Sequence, residues 1–413
     1  MTSANEYPRF RWYMLLCLVS SNIAVMSVML APSALVDKIA PDLHVASGTV
    51  FLLTMSLLSV ASLFSLIVSG YLIDRLGMVW CWIAAMILIL LSSLLWPVLS
   101  RSIAGLVILR ITQGIAIGPV MAAVASLSAA WFKKSEMSFV TGFLSASVGL
   151  GISLGLVATP LLLRMTGSWR MAMAVMGSFA IISLALNIGA LFGPKAPVSS
   201  IGHHAGASNA RDFKHAWSRP ATFAVLGVLF LNGWGIQSCN VLMPNYLATS
   251  PPVGQGLGAL AAGVFVSLIA YGVLGAGLFV GVVNERIFGG NSRRTLMVSS
   301  VVAGLLCLCL ILSPICQSPA ILATVMFLAG LAFGLVPPIL FAFLARNYSL
   351  AVLGRLGGIM QGAALIGTTA GVTAGSIVLN GTGSYIVPIV LVSAVALLAA
   401  LASMWIIAPS TPD

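Results

Sequence analysis

Gly70-Tyr-Leu-Ile-Asp74-Arg75-Leu-Gly77 is a charged turn wedged between two long apolar runs. It returns in degenerate form as Gly281-Val-Val-Asn-Glu285-Arg286-Ile-Phe-Gly289, again between apolar runs, with the two acids 211 positions apart. A short Gly–xxx–acid–Arg segment is an odd insertion between membrane spans. Its presence once in each half points to a duplicated membrane protein, and transport is the activity that such a plan suggests.

Composition agrees with this reading. The 413 residues are 60% hydrophobic and only 7% charged, against about 25% charged for a typical soluble domain. So little charge cannot coat a water-facing surface. Long uninterrupted apolar runs mean helices, because backbone groups in lipid must pair within a segment or a closed barrel, and barrel strands would alternate. The net charge of +11 is read as the Lys/Arg bias of inner loops; no nucleic-acid partner is expected. The six Cys fall mostly in apolar runs without CxxC spacing, so neither a disulfide framework nor a metal site is expected.

Twelve spans fit, at about 12–36, 49–72, 79–98, 103–131, 138–163, 170–193, 220–247, 257–283, 295–314, 319–345, 356–380 and 385–408. The hydrophilic interval 194–219 separates an N-terminal half, 1–193, from a C-terminal half, 220–413. With both termini inside, fourteen of the nineteen Lys and Arg fall on inner segments, four on outer ones, and Arg110 within a span. That split places both charged turns and the 194–219 linker on the cytoplasmic side. The repeat extends further: Gly114 and Gly118 pair with Gly330 and Gly334 at an offset of 216, and Gly142 pairs with Gly358 at the same offset. Stray glycine matches would scatter; a steady offset argues for two parallel six-helix repeats, a plan known in transporters with the solute site near mid-membrane.

With these features in place, the chain resembles the major facilitator superfamily over essentially its full length. Gly70, Asp74, Arg75 and Gly77 match the family's G-x-x-x-D-R-x-G turn, although Met78, Val79 and Trp80 replace its basic tail. Arg110-Ile-Thr-Gln113-Gly114 matches R-x-x-Q-G in the fourth span, and Ser168-Trp169-Arg170 is similar to G-W-R before the sixth. The resemblance implies an all-α fold of twelve transmembrane helices. It also implies a gating role for Gly70, Asp74, Arg75 and Gly77, with Glu285 and Arg286 as the weaker second copy, all helping to hold the cytoplasmic side closed. The alternative is that these charges only solubilise a tight loop.

Candidate solute contacts come from polar residues inside spans. Arg110 is the one charge within a span, where Arg costs roughly 2.5–3.5 kcal/mol on insertion scales unless it finds a partner or a cavity. Two readings stand: the guanidinium grips a carboxylate or similar anion, or it bonds to backbone carbonyls or snorkels outward. Its counterpart at offset 216 is apolar Met326, so the duplicated scaffold does not demand it. Gln113 shares its face. In the seventh span Asn232, Gln237, Asn240 and Asn245 sit among Gly233, Gly235 and Pro244, residues that let a helix bend; amide glue between helices is the competing role. Gln361, Thr368 and Thr369 in span 11 and Ser20, Ser21 and Asn22 in span 1 complete the set. Pro337-Pro338 in span 10 reads as a kink.

No Asp, Glu or His falls in a span interior, which favours facilitated movement or exchange over proton symport. No cofactor is expected. No nucleophile–base pair, nucleotide loop or metal-ligand spacing marks an enzyme. The fifth span superficially resembles antiporter and nitrate-porter signatures but lacks the Gly-Pro of the first, and no Arg lies in spans 2 and 8 for the second. The leading expectation is a monomeric secondary transporter of a small polar organic solute, an organic anion such as a carboxylate, in a bacterial inner membrane. Drug or amphipath efflux is one alternative, and a non-transporting sensor or assembly protein on the same scaffold is another.

Overall fold

The computed structural model describes residues 9–132, 136–194, 217–348 and 350–406; the side chains of Asp74, Arg355 and some others within those ranges also lie outside the description. It is helical, and among the described residues there is no strand. The helices of the spans are α1 (Phe10–Leu30), α2 (Leu57–Leu76), α3 (Met78–Leu94), α4 (Ile103–Trp131), α5 (Met137–Thr166), α6 (Trp169–Ser178), α7 (Ala180–Ala190), α8 (Pro220–Ala248), α9 (Ala259–Gly281), α10 (Ser292–Cys309), α11 (Pro319–Asn347), α12 (Leu350–Thr382) and α13 (Ile386–Ala402). Eleven spans of the described residues are long and apolar enough to cross a membrane. The shorter α3 takes the place of the third expected span, and α6 with α7 that of the sixth. Proline opens α8 and α11 at the first helical position, where its missing N–H costs nothing.

By internal packing the chain divides into two compact units, Met1–Gly202 with Leu257–Ser267, and His203–Gly256 with Leu268–Asp413. Of the interval 194–219, only 194 and 217–219 lie among the described residues.

Within each unit the same helix pairs meet through glycine. In the first, a Cβ on Gly114 or Gly118 of α4 would strike α2 at Leu58 and Ser65. In the second, Gly330 and Gly334 of α11 lie against Ile269 and Val273 of α9 in the same way. A further pair follows the same rule: Gly151 and Gly155 of α5 lie on Ile23 and Ser27 of α1, while Gly367 and Gly371 of α12 lie on Phe230 and Trp234 of α8. Small residues at these points let backbones approach, which is how helices associate without a hydrophobic drive.

The two charged turns are built differently. α2 runs as an α-helix to Leu76 and is closed by Gly77 at φ 86°, a conformation that costs glycine nothing. After α9 the chain widens into a π turn over Val282–Ile287 before Gly289 at φ 60° reverses it. Gly70 to Gly77 is seven positions, and Gly281 to Gly289 is eight. The extra residue, Phe288, is accommodated by the wider turn. A second π turn, Leu52–Ser56, lies at the far end of the second span, just before α2.

Candidate functional site

Arg110 is fully buried in α4, and its contacts bear on both of its readings. A guanidinium has five N–H donors. Nε donates to the Thr54 carbonyl at 2.5 Å. Nη1 donates to the Val28 carbonyl at 3.2 Å and to Gln113 Oε1 at 2.8 Å. Nη2 donates to the Met29 carbonyl at 2.9 Å and lies 3.8 Å from Met55 Sδ. Every donor is engaged inside the first unit, and none is left over for a solute in this state.

The acceptors are ones that helix geometry leaves over. Val28 and Met29 lie in the last turn of α1 before the 3₁₀ stretch Ala31–Leu35, where carbonyls run out of N–H partners. Thr54 sits in the Leu52–Ser56 π turn, where a side chain can enter the disturbed backbone ladder. Arg110 thus joins the end of α1 to a break in the second span. Gln113, also buried, keeps its Nε2 without a partner among the described residues.

Span 1 carries its polar residues inward. Asn22 donates to Ser147 Oγ at 3.1 Å and Ser21 meets Ser183 Oγ at 2.8 Å, with Asn187 donating to Ser21 at 3.1 Å. These tie α1 to α5 and α7. The Ser168-Trp169-Arg170 segment also acts structurally: Trp169 packs edge-on against Trp96, and Arg170 pairs with Asp42 at 2.5 Å.

In the second unit α8 concentrates buried polar groups. Gln237, Ser238, Asn240 and Asn245 are all buried. Gln237 Nε2, Ser238 Oγ, Asn240 Oδ1 and Asn245 Oδ1 have no protein partner among the described residues. Asn245 Nδ2 does reach the Tyr385 hydroxyl. Asn232 is buried too and borders a small cavity with Ser300 and Phe333. Thr368 of α12 donates weakly to the Gly233 carbonyl at 3.5 Å, and Thr369 bonds within its own helix. Gln361 is exposed, two turns before Thr368, so the structure does not bring it into the buried set on α8. Pro337 and Pro338 lie inside a continuous α11.

The gating candidates sit at the ends of the second spans. Gly70, Arg75 and Gly77 are exposed, and the Arg75 guanidinium stacks 4.5 Å over the Tyr71 ring. Asp74 ends up in the last turn of α2, but its side chain lies outside the described residues. Glu285 pairs with Arg346 at 3.4 Å, with both side chains largely exposed, a geometry worth little in water. Arg286 is exposed beside it.

Two features escaped sequence reasoning. One is the π turn beneath Arg110, which has no residue signature of its own. The other is a contact between Cys239 of α8 and Cys307 of α10, whose sulfurs lie 3.7 Å apart in the buried interior.

Comparison with known proteins adds a family and one relative. An uncharacterized protein of Campylobacter jejuni, Cj0987c, is 27% identical over 221 residues, a stretch covering 52% of this chain and 66% of the relative. The profile of the Major Facilitator Superfamily matches residues 16–371. Together with eleven membrane-length spans and the shorter α3 among the described residues, this match establishes that the chain belongs to the major facilitator superfamily of secondary transporters.

Proposed function

We propose that this protein moves a small polar organic solute across the membrane by alternating access, and that α8 supplies the main recognition surface. The observation that carries this is the run of buried amide and hydroxyl groups at Gln237, Ser238, Asn240 and Asn245, with atoms unanswered by protein. Buried polar atoms without partners cost about 1–3 kcal/mol each, and a hydrogen-bonding solute would recover that cost. Gly233, Gly235 and Pro244 in the same helix suit bending between states.

The organic-anion version of this reading relies on Arg110 as its cation. That guanidinium is committed to backbone carbonyls and Gln113, so the geometry favours solutes read by neutral amides: polyols, amides or zwitterions whose charges lie away from α8. Facilitated movement or exchange fits the absence of acids from span interiors.

The test is thermal stabilisation of the purified protein by a panel of sugars, amides, carboxylates, sulfonates and lipophilic cations, run also on Asn240→Leu and Arg110→Gln. Stabilisation by a neutral hydrogen-bonding class that disappears in Asn240→Leu is the expected result. Stabilisation by carboxylates alone, lost in Arg110→Gln but kept in Asn240→Leu, would return the anion to first place.

A further inference from the structure

The first unit carries a long apolar groove unconnected with the buried amides. It has a volume of about 500 Å³ and is walled by α2, α3 and α4, with Phe64, Val68, Leu72, Leu88 and Ile115 among its lining residues. Its two serine hydroxyls are already used: Ser65 Oγ donates to the Ile115 carbonyl at 2.6 Å and Ser69 Oγ to the Ser65 carbonyl at 2.6 Å. The rest of the lining is apolar apart from Trp80 and Cys81 near the turn. Large side chains along its edge are exposed, with Phe64 at 65% and Trp80 at 58%.

Length identifies what fits. The lining runs on α2 from Ala61 to Leu76, about 22 Å at the helical rise, against about 15 Å for one leaflet's share of the hydrocarbon layer. The groove therefore extends from the charged turn past mid-membrane, long enough to take the full length of one acyl chain from its own leaflet. The end of the groove near the turn is basic and aromatic. Arg75 follows Val68 by seven residues and Phe64 by eleven, which places it on the same helical face at the groove's mouth. Its guanidinium is held over Tyr71, and Trp80 lines the same end, at the level where aromatic side chains meet lipid headgroups. A stacked, exposed guanidinium is suited to phosphate.

We propose that this groove is a specific site for one acyl chain of an anionic phospholipid, with the lipid phosphate held by Arg75 in the leaflet nearest the Gly77 turn. Apolar shape retains the chain, and charge selects the headgroup. One Arg near a membrane surface is worth about 1 kcal/mol toward an anionic lipid, or about fivefold in occupancy.

The experiment is native mass spectrometry of the full-length protein in detergent, with equal amounts of dioleoylphosphatidylglycerol and dioleoylphosphatidylcholine added. We expect about fivefold more phosphatidylglycerol adducts on the parent protein. Arg75→Gln should bring the two lipids to parity while total adducts stay constant. Ala84→Trp, at an exposed lining position, should remove one tightly bound lipid per molecule; helical circular dichroism and melting temperature report that both variants fold. Parity on the parent protein overturns the proposal, as does an unchanged preference in Ala84→Trp. Displacement of the lipid by tetraphenylphosphonium at equal concentration also overturns it, because the groove would then be a port for lipophilic cations.

Discussion

The second spans of the two halves make an instructive pair. Both carry a π turn, but in the first half it lies far from the charged turn, at Leu52–Ser56, and in the second it adjoins it, at Val282–Ile287. In the first half the irregular backbone is answered by Arg110, reaching across from α4. In the second half the position matching Arg110 is buried Met326, and α9 runs from Ala259 to Gly281 without a break. The same packing frame thus tolerates a buried charge only where backbone geometry has left acceptors for it. In the first half the buried charge sits against a π turn; in the second half a π turn is present without one.

The strongest way to break this comparison is Arg110→Gln. Leaving the carbonyls of Val28, Met29 and Thr54 poorly answered should cost on the order of 4 kcal/mol, read as a large fall in melting temperature in detergent. A variant as stable as the parent would show that the guanidinium is not needed for the helix ends. Next comes the reciprocal change, Met326→Arg. With no loosened carbonyls provided for it, it should lose roughly 3 kcal/mol and express poorly; full stability would mean that the second half also hides acceptors.

Gly114→Ala and Gly330→Ala sharpen the shared part of the frame. Each added Cβ would meet backbone on the neighbouring helix, so each should destabilise by about 1–3 kcal/mol, and to similar extents. A loss in one half alone would show that the repeats do not pack alike. The smallest effect belongs to deletion of Phe288, which restores the seven-residue spacing of the first turn. We expect little change in melting temperature but slower amide hydrogen exchange over 282–287 as the π turn becomes α-helical.

Much of the fold was legible because apolar runs in lipid leave the backbone few choices. The expected span at 220–247 became Pro220–Ala248 and that at 319–345 became Pro319–Asn347. Of the glycines read as marks of duplication, Gly114, Gly118, Gly330 and Gly334 stand where helices touch, and Gly142 and Gly358 do not. The site was legible only in part. Side-chain amides on α8 advertise their polarity in any hydropathy reading, so Gln237 and Asn240 could be named. The partners of Arg110 could not, because three of them are backbone carbonyls, which every residue possesses. Polarity within a span does not say which way a helix face points, so the exposure of Gln361, against the burial of the amides on α8, was not readable. The π turn at 282–287 did leave a trace, the eighth position between Gly281 and Gly289, although spacing alone does not say whether a helix or a loop takes up the extra residue.

The glycine contacts also preserve a history. Equivalent residues stand 207 positions apart in the first spans (Ile23 and Phe230), 211 at the start of the charged turns and 216 in the fourth and fifth spans. Since the ancestral segment was copied, the descendants have diverged in length by a few residues at a time, and the additions fall between the contact glycines rather than among them. Phe288 marks one such difference. A lineage can lengthen a helix end by a single codon without re-aiming the helices that follow, provided the newcomer is taken up locally as a bulge. The dimensions of the ancestor thus survive most faithfully where two backbones touch.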